Sequence, residues 1–203
     1  MPNWCYNSLK ITGNKEKTRE FLRFGFKNPE YVLPEKTVDI EADIENLPDD
    51  QKLSIKVYYP QPDIIKAADT TNHPEDHPEI AEQQRNEFGV VGWYAWSKTY
   101  WGTKWSADFE NVQYVESDEH GEISLNMDTA WAPPIQWLDY VQEKFPELDF
   151  EMEYSESGCC FCGVAATHRD EDGTPEICDM ELDWDEQQAK YAEECDDEGD
   201  GEE

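Results

Sequence analysis

The stretch LDFEMEYS at residues 148 to 155 constrains this chain most, because Leu148, Phe150, Met152 and Tyr154 alternate without a break with Asp149, Glu151, Glu153 and Ser155. Strict period-two alternation describes a strand with one apolar face and one wet face. A sheet of such strands needs an apolar layer over its inner side. The segment before it supplies one: Pro133-Pro134 opens a helix, IQWLDYVQEKF, in which Ile135, Leu138, Val141 and Phe145 are spaced for one buried face. Strands on either side complete the pattern. DFENVQYV (108–115) and GEISLNMDTAW (121–131) flank an SDEHG turn, while CCFCGVAATH (159–168), a DEDG turn (170–173) and a last strand across 177–184 follow.

The start of the chain adds a strand and a helix. NWCYNSLKITG ends at Gly13 with Asn7, Leu9 and Ile11 on one side and Ser8 and Lys10 on the other; Asn14 is placed to cap a helix whose Phe21, Leu22 and Phe24 oppose Lys15, Lys17 and Arg19, with Gly25 as its terminator. β-α followed by β-β-α-β-β predicts an α+β fold, ferredoxin-like in general plan, with a mixed or antiparallel sheet and helices on one face. Residues 28–52 carry Pro29, Pro34 and Pro48 among acidic residues and read as an excursion. LSIKVYY (53–59) alternates like a further strand, NHPEDHPE (72–79) reads as a loop, and a helix is expected across Ile80–Phe88. The expected organisation is one domain over residues 1–184 and an acidic tail over 185–203, helical at first and then solvated.

MPNWCYNSLKITG, WGTKW, DTAWAPP and KFPELDFEMEY, followed by the Gly-closed CCFCG, stand here in a fixed order. Together they resemble the YubB ferredoxin-like family of phage- and plasmid-borne proteins, over residues 1–13 and about 93–165. The resemblance implies a ferredoxin-like fold and a mobile-element setting, and supplies no activity, cofactor or catalytic residue. Read physically, Trp101-Gly102-Thr103-Lys104-Trp105 sets two large rings about a glycine suited to a bend, with packing as the expected role of the rings, and Trp131-Ala132-Pro133-Pro134 marks a strand end and helix start.

No arrangement points to catalysis or to a metal. Cys159, Cys160, Cys162, Cys178 and His168 lack the paired arms of a zinc site; alternation places Cys160 and Cys162 on one face and Cys159 on the other, and these thiols are expected to be small buried side chains. His73 and His77 are four apart, but Pro74 and Pro78 interrupt a helical pair. A Cys162–His168 nucleophilic pair lacks an electropositive setting. No cofactor is expected. No Lys/Arg-led apolar run opens the chain and no long apolar segment follows, so a cytoplasmic protein without membrane contact and with reduced thiols is expected.

Charge is the strongest functional signal. Forty-eight acidic against sixteen basic residues give −32, which repels phosphates and argues against direct nucleic-acid binding. Residues 1–36 are mildly basic, the middle is acidic, and 170–203 hold seventeen Asp/Glu against Lys190 alone. Solubility or salt adaptation would account for such a run without any partner. The sharper expectation is a non-enzymatic protein that imitates DNA charge and inhibits a host nucleic-acid-binding or defence protein with a basic surface. The alternatives are a module for another basic protein, or an unrecognised enzyme. The expected contact residues are Asp170, Glu171, Asp172, Glu176, Asp179, Glu181, Asp183, Asp185, Glu186, Glu193, Glu194, Asp196, Asp197 and Glu198.

Overall fold

The computed structural model describes residues 3–26, 38–39 and 52–188. Strand β1 (Trp4–Asn14) buries Cys5, Asn7, Leu9 and Ile11 and turns Trp4, Tyr6, Ser8 and Lys10 outward. Helix α1 (Lys15–Gly25) follows without a linker, since the Asn14 side chain accepts the Glu16 N–H at 2.9 Å as an N-cap. A short strand β2 (Val38–Asp39) lies in the acidic excursion, the rest of which is outside the described residues. The helical turns α2 (Ile55–Tyr58) and α3 (Asp63–Lys66), a 3₁₀ turn at Pro74–Asp76, and helices α4 (Pro78–Phe88) and α5 (Gly92–Tyr100) come next. The chain then forms β3 (Glu110–Glu116), β4 (His120–Ala130), helix α6 (Ile135–Lys144), β5 (Asp149–Glu156), β6 (Phe161–Arg169) and β7 (Pro175–Leu182).

These strands form one antiparallel sheet in the order β2-β3-β4-β1-β5-β6-β7. Its centre, β3-β4-β1-β5 with α1 after β1 and α6 between β4 and β5, is the ferredoxin-like βαββαβ arrangement. The β6–β7 hairpin widens it on one side and β2 on the other. The α+β, ferredoxin-like expectation therefore holds. Both α1 and α6 lie on the face that carries Leu9, Ile11, Ile123, Leu125, Met127, Phe150 and Met152, all buried.

Residues 53–59 correct the strand expected there. Ser54 alone bridges to Asp108, and Ile55–Tyr58 form a helical turn. A strand would send Ile55 and Val57 to one face and Tyr58 to the other. As a turn, the segment buries Ile55, Val57 and Tyr58 together. Tyr58 then stacks on Phe21 at 4.4 Å, meets Phe109 and Trp137, and donates its hydroxyl to Phe21 O at 3.2 Å. Trp137 joins Leu138 and Val141 in the buried face of α6 and donates Nε1–H to Ile55 O, so the helical insertion is bolted onto the helix layer.

Gly163 explains the glycine in CCFCG. A Cβ there would collide with the Tyr154 ring, which crosses over β6 to donate its hydroxyl to Asp179 on β7 at 2.8 Å. One small residue thus lets a tyrosine of β5 hold the outermost strand.

Candidate functional site

The expected acidic contact residues fall into two groups. Asp170 through Glu186 occupy the β6–β7 turn, β7 and the helical residues 184–188; Glu193, Glu194, Asp196, Asp197 and Glu198 lie outside the described residues. Three of the first group have local structural work. Asp170 accepts from the Asp172 and Thr174 N–H groups and closes the hairpin turn, Asp179 receives the Tyr154 hydroxyl, and Asp183 accepts the Glu186 N–H at the start of the last helical residues. Among the described residues none of these acids makes an ion pair. The sheet register divides them: Glu176 stands on the face of β7 away from the helices, while Asp179 and Glu181 point to the helix side. There Asp179 approaches Asp139 of α6; burial raises the Asp139 carboxyl first, and the charges of Glu143 and Asp179 raise it further.

Three cations near the start of the chain are engaged. Arg19 makes a bidentate contact with Glu116, Nε–Oε2 2.9 Å and Nη2–Oε1 2.7 Å, and Tyr114 donates to the same carboxylate. Burial opposes ionisation of Glu116, but these donors outweigh it and hold its carboxyl below the usual carboxylate range. Lys17 bridges Glu147 and Glu20, and Lys10 pairs with Glu122.

The thiols are not the buried set expected from the sequence. Cys162 and Cys5 are buried, but Cys159, Cys160 and Cys178 are exposed. Cys159 and Cys160 sit in the β5–β6 turn, Cys160 with φ 55°, so strand alternation does not reach them and the expected shared face of Cys160 and Cys162 is lost. The turn is instead set by Glu156, a buried carboxylate that accepts the Gly158 and Cys159 N–H groups at 2.6 and 2.7 Å. Cys162 and His168 lie on one strand, six residues apart, or about 20 Å, which excludes a nucleophile–base contact. Burial, and then Asp183 and Glu181, raise the Cys162 thiol, and burial pushes the Cys5 thiol up to about 12. Among the described residues no group of three or more His, Cys, Asp or Glu is placed to hold a metal ion, and no helix is long and apolar enough to cross a membrane.

What the sequence reading missed is the face of the sheet opposite the helices. Register places Leu182, Cys162, Ser155, Tyr6 and Asp128 in one row across five strands, and Met180, Val164, Glu153, Ser8, Asn126 and Glu110 in the next. The rows floor a concavity of about 570 Å³ whose walls include Gln187 and Gln188. Beyond Tyr6, a second concavity of about 270 Å³ lies among Trp4, Trp105, Asp108, Glu110 and Asp128. Glu110 and Asp128 line both. Burial raises the Asp128 carboxyl.

Three segments distant in sequence build the aromatic end. Thr103 donates its hydroxyl to Ala130 O at 3.1 Å and accepts the Ala130 N–H at 3.0 Å, tying WGTKW to the end of β4 beside Trp4. Trp101 packs as expected, buried with Nε1–H on Tyr59 O. Trp105 does not: it is 39% exposed, 6.4 Å from the Trp4 ring, which is 44% exposed. Trp131 is 41% exposed at φ 74°, a left-handed conformation that costs a bulky side chain about 1–2 kcal/mol, and its N–H donates to Asn3 O. Lys104 lays its ammonium 4.2 Å from the Trp105 ring and 4.7 Å from that of Trp131.

No curated protein matches the chain. Among solved structures, the crystal structure of a protein api92 from Yersinia pseudotuberculosis matches at 11% identity and a TM-score of 0.43, over 89% of this chain and 98% of that one. A family model also matches; it bears on the fold and does not carry the YubB name or a phage or plasmid setting. Residues 101–200, which contribute β3 through β7 of the sheet just described, match the model described as the ferredoxin-like domain in Api92-like protein.

Proposed function

We propose that this protein is a non-enzymatic, cytoplasmic binder that occupies the basic surface of a host nucleic-acid-binding or defence protein by presenting DNA-like negative charge, in the mobile-element setting that the YubB resemblance implies. The observation that carries the reading is charge held on an ordered scaffold. Residues 170–188 contain nine Asp/Glu and no Lys or Arg, and β7, which carries four of them from Glu176 to Asp183 with the residue after it, is hydrogen-bonded into the sheet along its length. β7 holds these exposed carboxylates at fixed positions, Glu176 on one face and Asp179 and Glu181 on the other, where a coil would not fix them. The pairing of Lys10, Lys17 and Arg19 with carboxylates offsets three of the positive charges near the start of the chain.

The test is affinity capture from host lysate followed by reconstitution with the purified captured protein. The expected complex dissolves as salt rises from 50 to about 500 mM and is displaced by duplex DNA. Capture that returns no nucleic-acid-handling protein at low salt, or a complex that DNA leaves intact, ends the mimicry reading. The second reading, a module for another basic protein, is favoured by one observation that phosphate imitation does not use: the exposed aromatic rings beside Glu110 and Asp128.

A further inference from the structure

We propose that the groove on the face of the sheet opposite α1 and α6 is a recognition site for an extended peptide bearing arginine or lysine, with one cationic head group seated between Trp4, Trp105, Glu110 and Asp128. This deepens the reading of the protein as a binder of basic partners and rests on it.

Exposed rings alone would suit several ligands, and the charges beside them decide. Asp108, Glu110, Asp128 and Glu153 border the two concavities, and among the described residues none of the four has an ion-pair partner. A phosphate chain would meet these carboxylates at close range, while a guanidinium or ammonium would complete them. The rings at this end already take a cation. Lys104 lies over Trp105 and Trp131 with no carboxylate within ion-pair distance among the described residues, in a protein of net charge −32. The ring of Trp4 stands on the face opposite α1 and α6 next to Trp105, and Tyr6, 55% exposed, stands two residues further along β1 directly opposite Asp128. Aromatic rings therefore stand beside carboxylates in the groove. From Trp4 to Ser8 the strand rises about 13 Å, the span of about four extended residues. A basic strand laid there would place one side chain against Trp4 and Trp105 and the next on that side against Tyr6 and Asp128, with Glu110 and Glu153 in the following row.

The test is titration of the purified full chain with acetylated tetra-arginine amide at 150 mM salt, read by tryptophan fluorescence and calorimetry. Saturable binding with a change in tryptophan emission is expected, weakened about tenfold by Trp105→Ala and by the isosteric pair Glu110→Gln and Asp128→Asn. Neutralising Glu79, Glu82 and Glu87, exposed acids of α4 outside the groove, with Gln is expected to change the affinity less than threefold. The isosteric variants keep the test decisive if Trp105→Ala disturbs the fold. Equal losses from groove and α4 variants would mean unspecific charge attraction and overturn the site; so would absence of saturation, or preferential binding of an oligothymidylate. Because the peptide and the purified chain are the only components, the groove can fail while capture of a DNA-displaceable partner succeeds, and the reverse outcome is equally readable.

Discussion

Glu156 shows how much one side chain contributes to this structure. Burial disfavours its charge, yet the N–H groups of Gly158 and Cys159 outweigh that cost and hold its carboxyl below the usual carboxylate range. Because the folded value is depressed, the stabilisation is complete above the ordinary glutamate range near pH 4.3 and is lost as pH falls through the folded value. Glu156→Gln is expected to lower unfolding stability by about 1.5–3 kcal/mol at pH 7 and to flatten the acid limb of a pH–stability curve measured by urea unfolding. The tryptophans divide at the same scale. Trp137 is fully enclosed, so Trp137→Ala should cost about 3–5 kcal/mol. Trp131 is exposed in a left-handed conformation, so Trp131→Gly, which relieves that strain, is expected to stay within about 1 kcal/mol of the parent in the same assay. A bulky residue kept at a strained surface position fits use of its ring, and the sequence signalled the ring without its exposure.

The helical insertion is held by a polar clasp rather than by apolar packing alone. Gln84 of α4 is fully buried, accepts from the Thr70 hydroxyl and the Gly92 N–H, and donates to Ile64 O of α3. Gly92, at φ 81°, begins α5 against the Thr71 backbone, where a Cβ has no room. Gln84→Leu would leave those three groups unsatisfied, with an expected loss of about 2–3 kcal/mol and faster amide exchange in α3–α5 than in β1 and β4. Helix α4 itself was legible from its pattern. The helical turn at 55–58 was not, because a run that short carries alternation and helical spacing equally well, and burial of Ile55, Val57 and Tyr58 together decided between them. The Cys159–Cys160 turn was missed for a related reason: alternation counted from Cys162 assumes that the strand continues, and Glu156 ends it.

Across the whole molecule, charge and fold pull in opposite directions. A net of −32 repels itself, so the melting temperature should rise by several degrees between 10 and 500 mM NaCl, beyond what weakening of the exposed pairs such as Lys17–Glu147 takes away. A scan that shows a flat or falling melting temperature would mean that the acids are locally compensated. The amino-acid sequence by itself determined the alternating strands, the capped first helix, the Pro-opened α6 and the acidic bias of residues 170–203, because each is written in neighbouring residues through period, cap or composition. Only the tertiary structure decided which acids share a surface and which rings remain open. Sheet register splits Glu176 from Asp179, and antiparallel pairing brings Trp4 to Ala130 while Thr103 carries Trp105 alongside. The pairing of Trp4 with Ala130 joins residues more than a hundred positions apart in the chain, and no local pattern encodes it.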